Sequence, residues 1–432
     1  MHLRCYIVAI STNKHRPKKN RPPYRRVVGT ADKPVPLHDS GFEKIDTLAA
    51  ALDALIVKPT DEIDGRGEGD QAPETLVASP ADSVFLPPEI VDTIFRLLDD
   101  PIDLDLLLVC KTWYRCGLPF LYRSPELGPL NFKGFVEAVS SNDYVGTYVR
   151  ELRLDSIIQS GKNSYTAKVL KRCSANLELF VAPQTAFGYA PMVSLRHCKQ
   201  LRCLDLSLVS EVVDLRLLFL ALRQSPELEQ LFFPRSSLFC EQYDNVWPPR
   251  LWRLGLSGGI SDEFIRETRF ADTITHLSMR HCPFITVNSF HFLCQYLGPR
   301  LKYLEVVYPM PGLRPDALDQ VLRHCPNLRH LSVSVDYLTK HVFDDHMFKR
   351  ADGHFQSHPL EILDIDSSGG LGQAHKLRAD DITLAILEDK IPKLRVVRVS
   401  SKMSWDAKDE AVSELASILD DTDANGGGMW II

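Results

Sequence analysis

Apolar positions repeat along this chain with two interleaved periods. From Val149 onward the frame L-x-x-L-x-L, with apolar substitutions, recurs as Val149-Leu152-Leu154, Leu177-Phe180-Ala182, Leu201-Leu204-Leu206, Leu228-Leu231-Phe233 and Leu251-Leu254-Leu256. It continues as Ile274-Leu277-Met279, Leu301-Leu304-Val306, Leu328-Leu331-Val333, Leu360-Leu363-Ile365 and Leu394-Val397-Val399. The fourth and sixth frame positions share one face of a strand, because strand side chains alternate with period two. Between frames the spacing turns helical, as in Val213 to Gln224, which stops before Pro226. Each unit therefore reads as a strand followed by a helix. One such unit cannot bury its own apolar faces, so the pattern predicts neighbours stacked into a curved parallel sheet backed by helices, an α/β solenoid.

Successive first positions lie 28, 24, 27, 23, 23, 27, 27, 32 and 34 residues apart. The first seven intervals fall in the leucine-rich-repeat range, and the last two carry insertions. Ten turns in phase exclude a chance match within an ordinary α/β domain. The domain plan is a tail over 1–80, a helical module over 81–125 and a solenoid of about ten repeats over 126–432.

The tail differs in composition. Eight Lys or Arg residues and no acid precede Asp32, whereas Asp61 to Asp82 carries seven acids against Arg66 alone. Such charge blocks repel themselves and stay solvated, which makes the tail read as disordered. Ile45, Leu48, Leu52, Leu55 and Ile56 predict one short amphipathic helix over 43–57. The basic cluster from Lys14 to Arg26 suits a nuclear-import signal or a solvated tail, and Pro17, Pro22 and Pro23 break the helix that a mitochondrial presequence would need.

The module ahead of the repeats opens Phe85-Leu86-Pro87-Pro88-Glu89-Ile90-Val91-Asp92-Thr93-Ile94-Phe95-Arg96-Leu97-Leu98 and continues through Val109-Cys110-Lys111-Thr112-Trp113 to Leu118-Pro119-Phe120-Leu121-Tyr122-Arg123. Proline in a first turn, Glu89 at a helix N-terminus and the stripe Ile90, Ile94, Leu97 and Leu98 predict helices with more apolar surface than about 40 residues can bury alone. The string resembles an F-box, and the repeats that follow resemble those of F-box receptors, including the fungal ones, down to the cysteine-containing turns at Cys282 and Cys325. The resemblance implies a non-catalytic substrate receptor of a Skp-cullin-F-box ubiquitin ligase, docked to a Skp-type adaptor and through it to cullin and the RING subunit. Carried over by position, adaptor binding falls on Leu86, Pro87, Ile90, Ile94, Leu98, Val109, Cys110 and Trp113, with Trp113 as leading anchor. A non-ligase F-box scaffold, or a plain leucine-rich-repeat binder, is the alternative.

Strand residues flanking the last two frame positions face away from the core and line the concave sheet, which makes Arg253, His276, Arg280, Tyr303, Glu305 and His330 a polar, partly basic target surface. Asp364 and Asp366 give that surface the opposite sign further on. No enzyme motif points to catalysis and no cofactor or metal is expected: the Arg-His-Cys triplets at Arg196, Arg280 and Arg323 fall out of phase, so their cysteines read as buried packing. A formal net charge of −6 gives no basic excess for nucleic acid or membrane surfaces, and no run of apolar residues is long enough to span a bilayer. Ten sparse cysteines without CxxC pairing fit reduced thiols in cytoplasm or nucleus, with no disulfides.

Overall fold

A computed structural model describes residues 25–26, 86–98, 102–159, 164–238, 246–349, 353–370, 372–422 and 427–432. The tail, apart from Arg25 and Arg26, and its helix over 43–57 lie outside the described residues. All ten frames form strands of one sheet: β2 (Glu151–Arg153), β4 (Leu179–Val181), β6 (Cys203–Asp205), β7 (Gln230–Phe232), β8 (Arg253–Leu256), β9 (His276–Arg280), β10 (Tyr303–Val307), β11 (His330–Ser334), β12 (Ile362–Asp366) and β13 (Val396–Val399). They pair in parallel in that order, in a register that sets each fourth frame residue beside its counterpart. All thirty frame side chains are at most 2% exposed. A shift of one residue would turn each leucine onto the other face, so the burial pattern itself fixes the register.

Two further strands of this sheet lie outside the frame. β14 (Gly428–Ile431) extends the sheet in parallel beyond β13, and β1 (Arg25–Arg26) pairs antiparallel with β14. Gly428 therefore begins a strand, whereas the glycine run around it reads in the sequence as a flexible end. β3 (Ile158–Gln159) and β5 (Gln184–Thr185) form a separate two-stranded sheet beside the first turns.

The backing elements are short. The stretch read as Val213 to Gln224 forms a helix over Leu215–Leu222, started by the Asp214 carboxylate, which accepts the backbone N–H of Arg216 at 2.9 Å. The two long intervals hold what their lengths require: three 3₁₀ turns between Val335 and Phe348, then a 3₁₀ turn at Gln373–His375 before the helix Ala379–Leu387.

The N-terminal module consists of α1 (Pro88–Leu97), a 3₁₀ turn over Leu104–Leu108 and α2 (Lys111–Arg123), followed by α3 (Phe132–Ser141) and α4 (Asp143–Tyr148). Val91 and Phe95 project inward from α1. Phe95 meets Trp113 edge-on at 5.6 Å and stacks on Phe120 at 5.7 Å. Gly117 is buried where α2 crosses this cluster: a methyl group there would stand 2.8 Å from Phe95 Cζ and closer still to Leu107. Only glycine lets the three elements approach so closely.

No structural gap separates this module from the repeats. Tyr122, fully buried near the end of α2, stacks on Phe135 of α3 at 6.2 Å, and both belong to the hydrophobic core that runs to Met429. The backbone N–H of Arg150, leading into β2, donates to the Arg123 carbonyl at 2.9 Å.

Candidate functional site

Two surfaces carry the residues that the sequence singled out. The first is the outer face of α1 with the start of α2. Because Val91 and Phe95 occupy the inner face, residues at helical spacing from Ile90 turn outward: Ile90 is 48% exposed, Leu97 80% and Leu98 39%, with Ile94 half-buried. Val109, before α2, is 60% exposed. Pro87 and Cys110 are exposed and Leu86 half-buried. Cys110 is the N-cap of α2, and the backbone N–H of Trp113 holds its thiol below the ordinary cysteine value. Trp113, read in the sequence as the leading anchor, is half-buried and packs roughly perpendicular to the Phe95 ring. The most exposed apolar side chain of this face is Leu97, which the helical stripe contained but the motif did not single out. This is an apolar helical face in solvent, suited to covering by another protein.

The second surface is the concave sheet face. The register puts Arg253, His276, Tyr303 and His330 in one row, and Phe232, Gly255, Ser278, Glu305, Ser332, Asp364 and Arg398 in the next. Many of the predicted charges are already matched. Glu305, buried, accepts from Ser278 Oγ at 2.5 Å and from the Arg280 guanidinium at 2.5 Å. Asp364 accepts from Arg398 at 3.2 Å and lies 2.7 Å from His330 Nε2. The expected change of sign along the face is thereby neutralised at Asp364. Of the two acidic residues expected there, the exposed Asp366 keeps its carboxylate outward, where it also accepts the backbone N–H of Ser367 at 2.7 Å.

The centre of the face is aromatic. Trp252 meets the His276 ring edge-on at 4.7 Å, His276 stacks on Tyr303 at 5.7 Å, and Tyr303 meets His330 edge-on at 4.7 Å. The Arg253 guanidinium lies 5.2 Å from the Phe232 centroid and 5.7 Å from that of Tyr303. Burial, aided by Glu305, pushes the Tyr303 hydroxyl up to about 12, so it stays a neutral donor. Burial also lowers His276, helped by the positive charges of Arg253 and Lys302. Phe232, Trp252, Lys302 and Arg398 went unread in the sequence. The frame that places Phe233 in the core also places Phe232 on the concave face, and extending the same row logic one column each way would have found the others.

The three cysteines of the Arg-His-Cys triplets, Cys198, Cys282 and Cys325, are each fully buried. Among the described residues no cluster of metal-ligating side chains occurs.

Comparison with known proteins bears first on the helical module. The family profile described as the COS11 F-box domain matches residues 84–161, which takes in α1 to α4 and the first strand rather than α1 and α2 alone. Among solved structures, the fold is similar to the yeast Rad7 and Elc1 complex (TM-score 0.44, 17% identity, 72% of this chain and 88% of that one) and to an internalin from Listeria monocytogenes (TM-score 0.30, 10% identity, 65% and 92%). Protein pof5 of Schizosaccharomyces pombe is 30% identical over 347 residues, covering 78% of this chain and 97% of its own length. F-box protein YDR306C of Saccharomyces cerevisiae is 41% identical over 376 residues, 82% of this chain and 78% of that protein. Identity at that level extends through module and solenoid together, so the chain belongs to the F-box protein family.

Proposed function

We propose that this chain is the non-catalytic, substrate-recognition subunit of a Skp-cullin-F-box ubiquitin ligase. The face of Ile90, Leu97, Leu98 and Val109 docks the Skp-type adaptor, with Leu86, Pro87, Ile94, Cys110 and Trp113 around it, and the concave sheet holds the target. The observation that carries this reading is an apolar helical face left in solvent within an F-box domain. Each such side chain contributes roughly 1.5–3 kcal/mol when a partner fully covers it. The continuous core from α2 into β2 holds the target in a fixed orientation, so rate is raised by positioning while the transfer chemistry belongs to other subunits.

The test is co-purification of the full chain with a Skp-type adaptor and cullin, followed by ubiquitination of the co-purifying target in a reconstituted system. Adaptor, cullin and target-dependent ubiquitin transfer together support the reading. Adaptor without cullin favours a non-ligase scaffold, and absence of adaptor refutes both.

A further inference from the structure

Past β13 the repeats end on β14, and half of that strand's backbone points away from them. The N–H groups of Gly428 and Ile432 donate to the Arg395 and Val399 carbonyls of the preceding turn, each at 2.8 Å. Residues two apart along a strand turn their backbone groups to the same side, so Trp430 shares that direction while Met429 and Ile431 turn theirs outward. Outward groups on a terminal strand are a template for any extended segment, and solenoids need their end turns covered. Among the described residues only β1 pairs there, with Arg25 opposite Ile431 and Arg26 opposite Trp430. In that register Arg25 and Ile431 are the residues that exchange N–H···O bonds.

Charge singles out the same two parts of the chain. β1 lies in the stretch before Asp32 that carries eight Lys or Arg residues and no acid, whereas 406–423 holds seven acids with Lys408 as its one base. Asp406, Asp409, Glu410 and Glu414 are exposed around the start of the last helix, Glu410–Thr422, and none of the four forms an ion pair among the described residues. The Ser401 N–H donates to the Ile432 carbonyl at 2.7 Å, so the turn leading to that helix begins at the Ile432 end of β14. Because β1 runs antiparallel to β14, the chain preceding Arg25, with Lys14, Arg16, Lys18, Lys19 and Arg21, leaves at that same end.

Independently of the receptor reading, we propose that the outer edge of β14 is a strand-docking site for the chain's own basic N-terminal segment, held by backbone pairing at Arg25 and by the acidic residues of 406–414. Pairing over two residues supplies few backbone bonds, so opposite charge decides which segment docks. A second copy offering its own β14 would bring an identical acidic flank, and like charge opposes such an edge-to-edge dimer. The docked segment caps the sheet against association. It is also a displaceable cap, because a hold between exposed charges is screened by salt. While docked, the same basic cluster is withheld from any receptor that reads it in free form.

The test is amide exchange on the full chain, resolved residue by residue. The Ile431 amide is expected to be protected at low ionic strength and to exchange at least about tenfold faster in Arg25→Pro, which removes the N–H that faces the Ile431 carbonyl. The Trp430 amide, turned to β13, should be equally slow in both samples and so reports an intact fold. Raising the salt from about 0.05 to about 0.5 M, or combining Glu410→Gln with Glu414→Lys, should speed Ile431 and spare Trp430. A synthetic peptide of residues 14–28, added to the Arg25→Pro chain, should restore the protection. Equal exchange of Ile431 in the full chain and in Arg25→Pro overturns the proposal, as does protection untouched by both the salt and the double charge change. Protection that rises with protein concentration overturns it in favour of a second copy as the occupant.

Discussion

Leu97 and Trp113 lie in the same module, yet their truncation should be felt in different measurements. Leu97 is 80% exposed, so Leu97→Ala removes little from the folded chain, and its melting temperature should move by no more than a degree or two. If the adaptor covers the exposed part, the loss is about 0.8 of the roughly 1.5–3 kcal/mol for burying a leucine, or about 1.2–2.4 kcal/mol. That corresponds to a roughly 8- to 60-fold rise in the adaptor Kd. Trp113 is half-buried against Phe95, so Trp113→Ala opens a void beside that ring; at about half the usual 3–5 kcal/mol for a fully buried aromatic, its stability cost is about 2 kcal/mol. Calorimetric titration with a purified Skp-type adaptor gives the first quantity and chemical denaturation the second. Unchanged affinity in Leu97→Ala, or a stability loss there equal to that of Trp113→Ala, would refute the division into an outer docking face and an inner packing face.

Three other outcomes follow from buried geometry. Gly117→Ala drives a methyl group against Phe95 and Leu107, so despite alanine's better helix propensity it should cost about 1–3 kcal/mol and speed amide exchange in α1. Asp364→Asn weakens the shared contact with His330 and Arg398 and should lower stability by about 1–3 kcal/mol in a denaturant titration, with adaptor binding unchanged. His358 is 5% exposed, its Nε2 lies 2.9 Å from the Cys325 carbonyl, and burial lowers its pKa to about 4. The unfolded chain therefore takes up this proton first, so stability is full above about pH 6.5 and falls by about 3 kcal/mol as pH drops towards 4. His358→Gln should flatten that part of the stability profile, and an unchanged acid limb would show that the ring is not held neutral.

The repeats were legible because burial on one face of a strand writes a period of two into the sequence, and ten copies amplify it. β14 was not, because Gly428-Met429-Trp430-Ile431 lacks the leading leucine of the frame and follows a glycine run that reads as loop. In the helical module, proline at the helix start and the stripe from Ile90 to Leu98 located α1. Which of its apolar residues face solvent depends on Phe120 and Trp113 arriving from α2, a contact that spacing within α1 cannot encode. On the concave face the sequence identified the row containing Arg253 but not its neutralisation pattern. Arg280 and Glu305 are 25 residues apart and His330 and Asp364 are 34, so each looks like a separate charge until stacking makes them neighbours.

The Arg123 carbonyl that receives the Arg150 N–H makes the last turn of α2 the first rung of a screw. Reach along such a screw is quantised, since each added or deleted repeat shifts everything beyond it by one strand spacing of about 4.8 Å and rotates it by one step of the sheet's twist. A relative with one repeat fewer between α2 and β8 would carry the same concave residues at a different azimuth from α1. Repeat number, quite apart from the residues in any repeat, therefore sets which side of a cargo is turned towards whatever α1 holds.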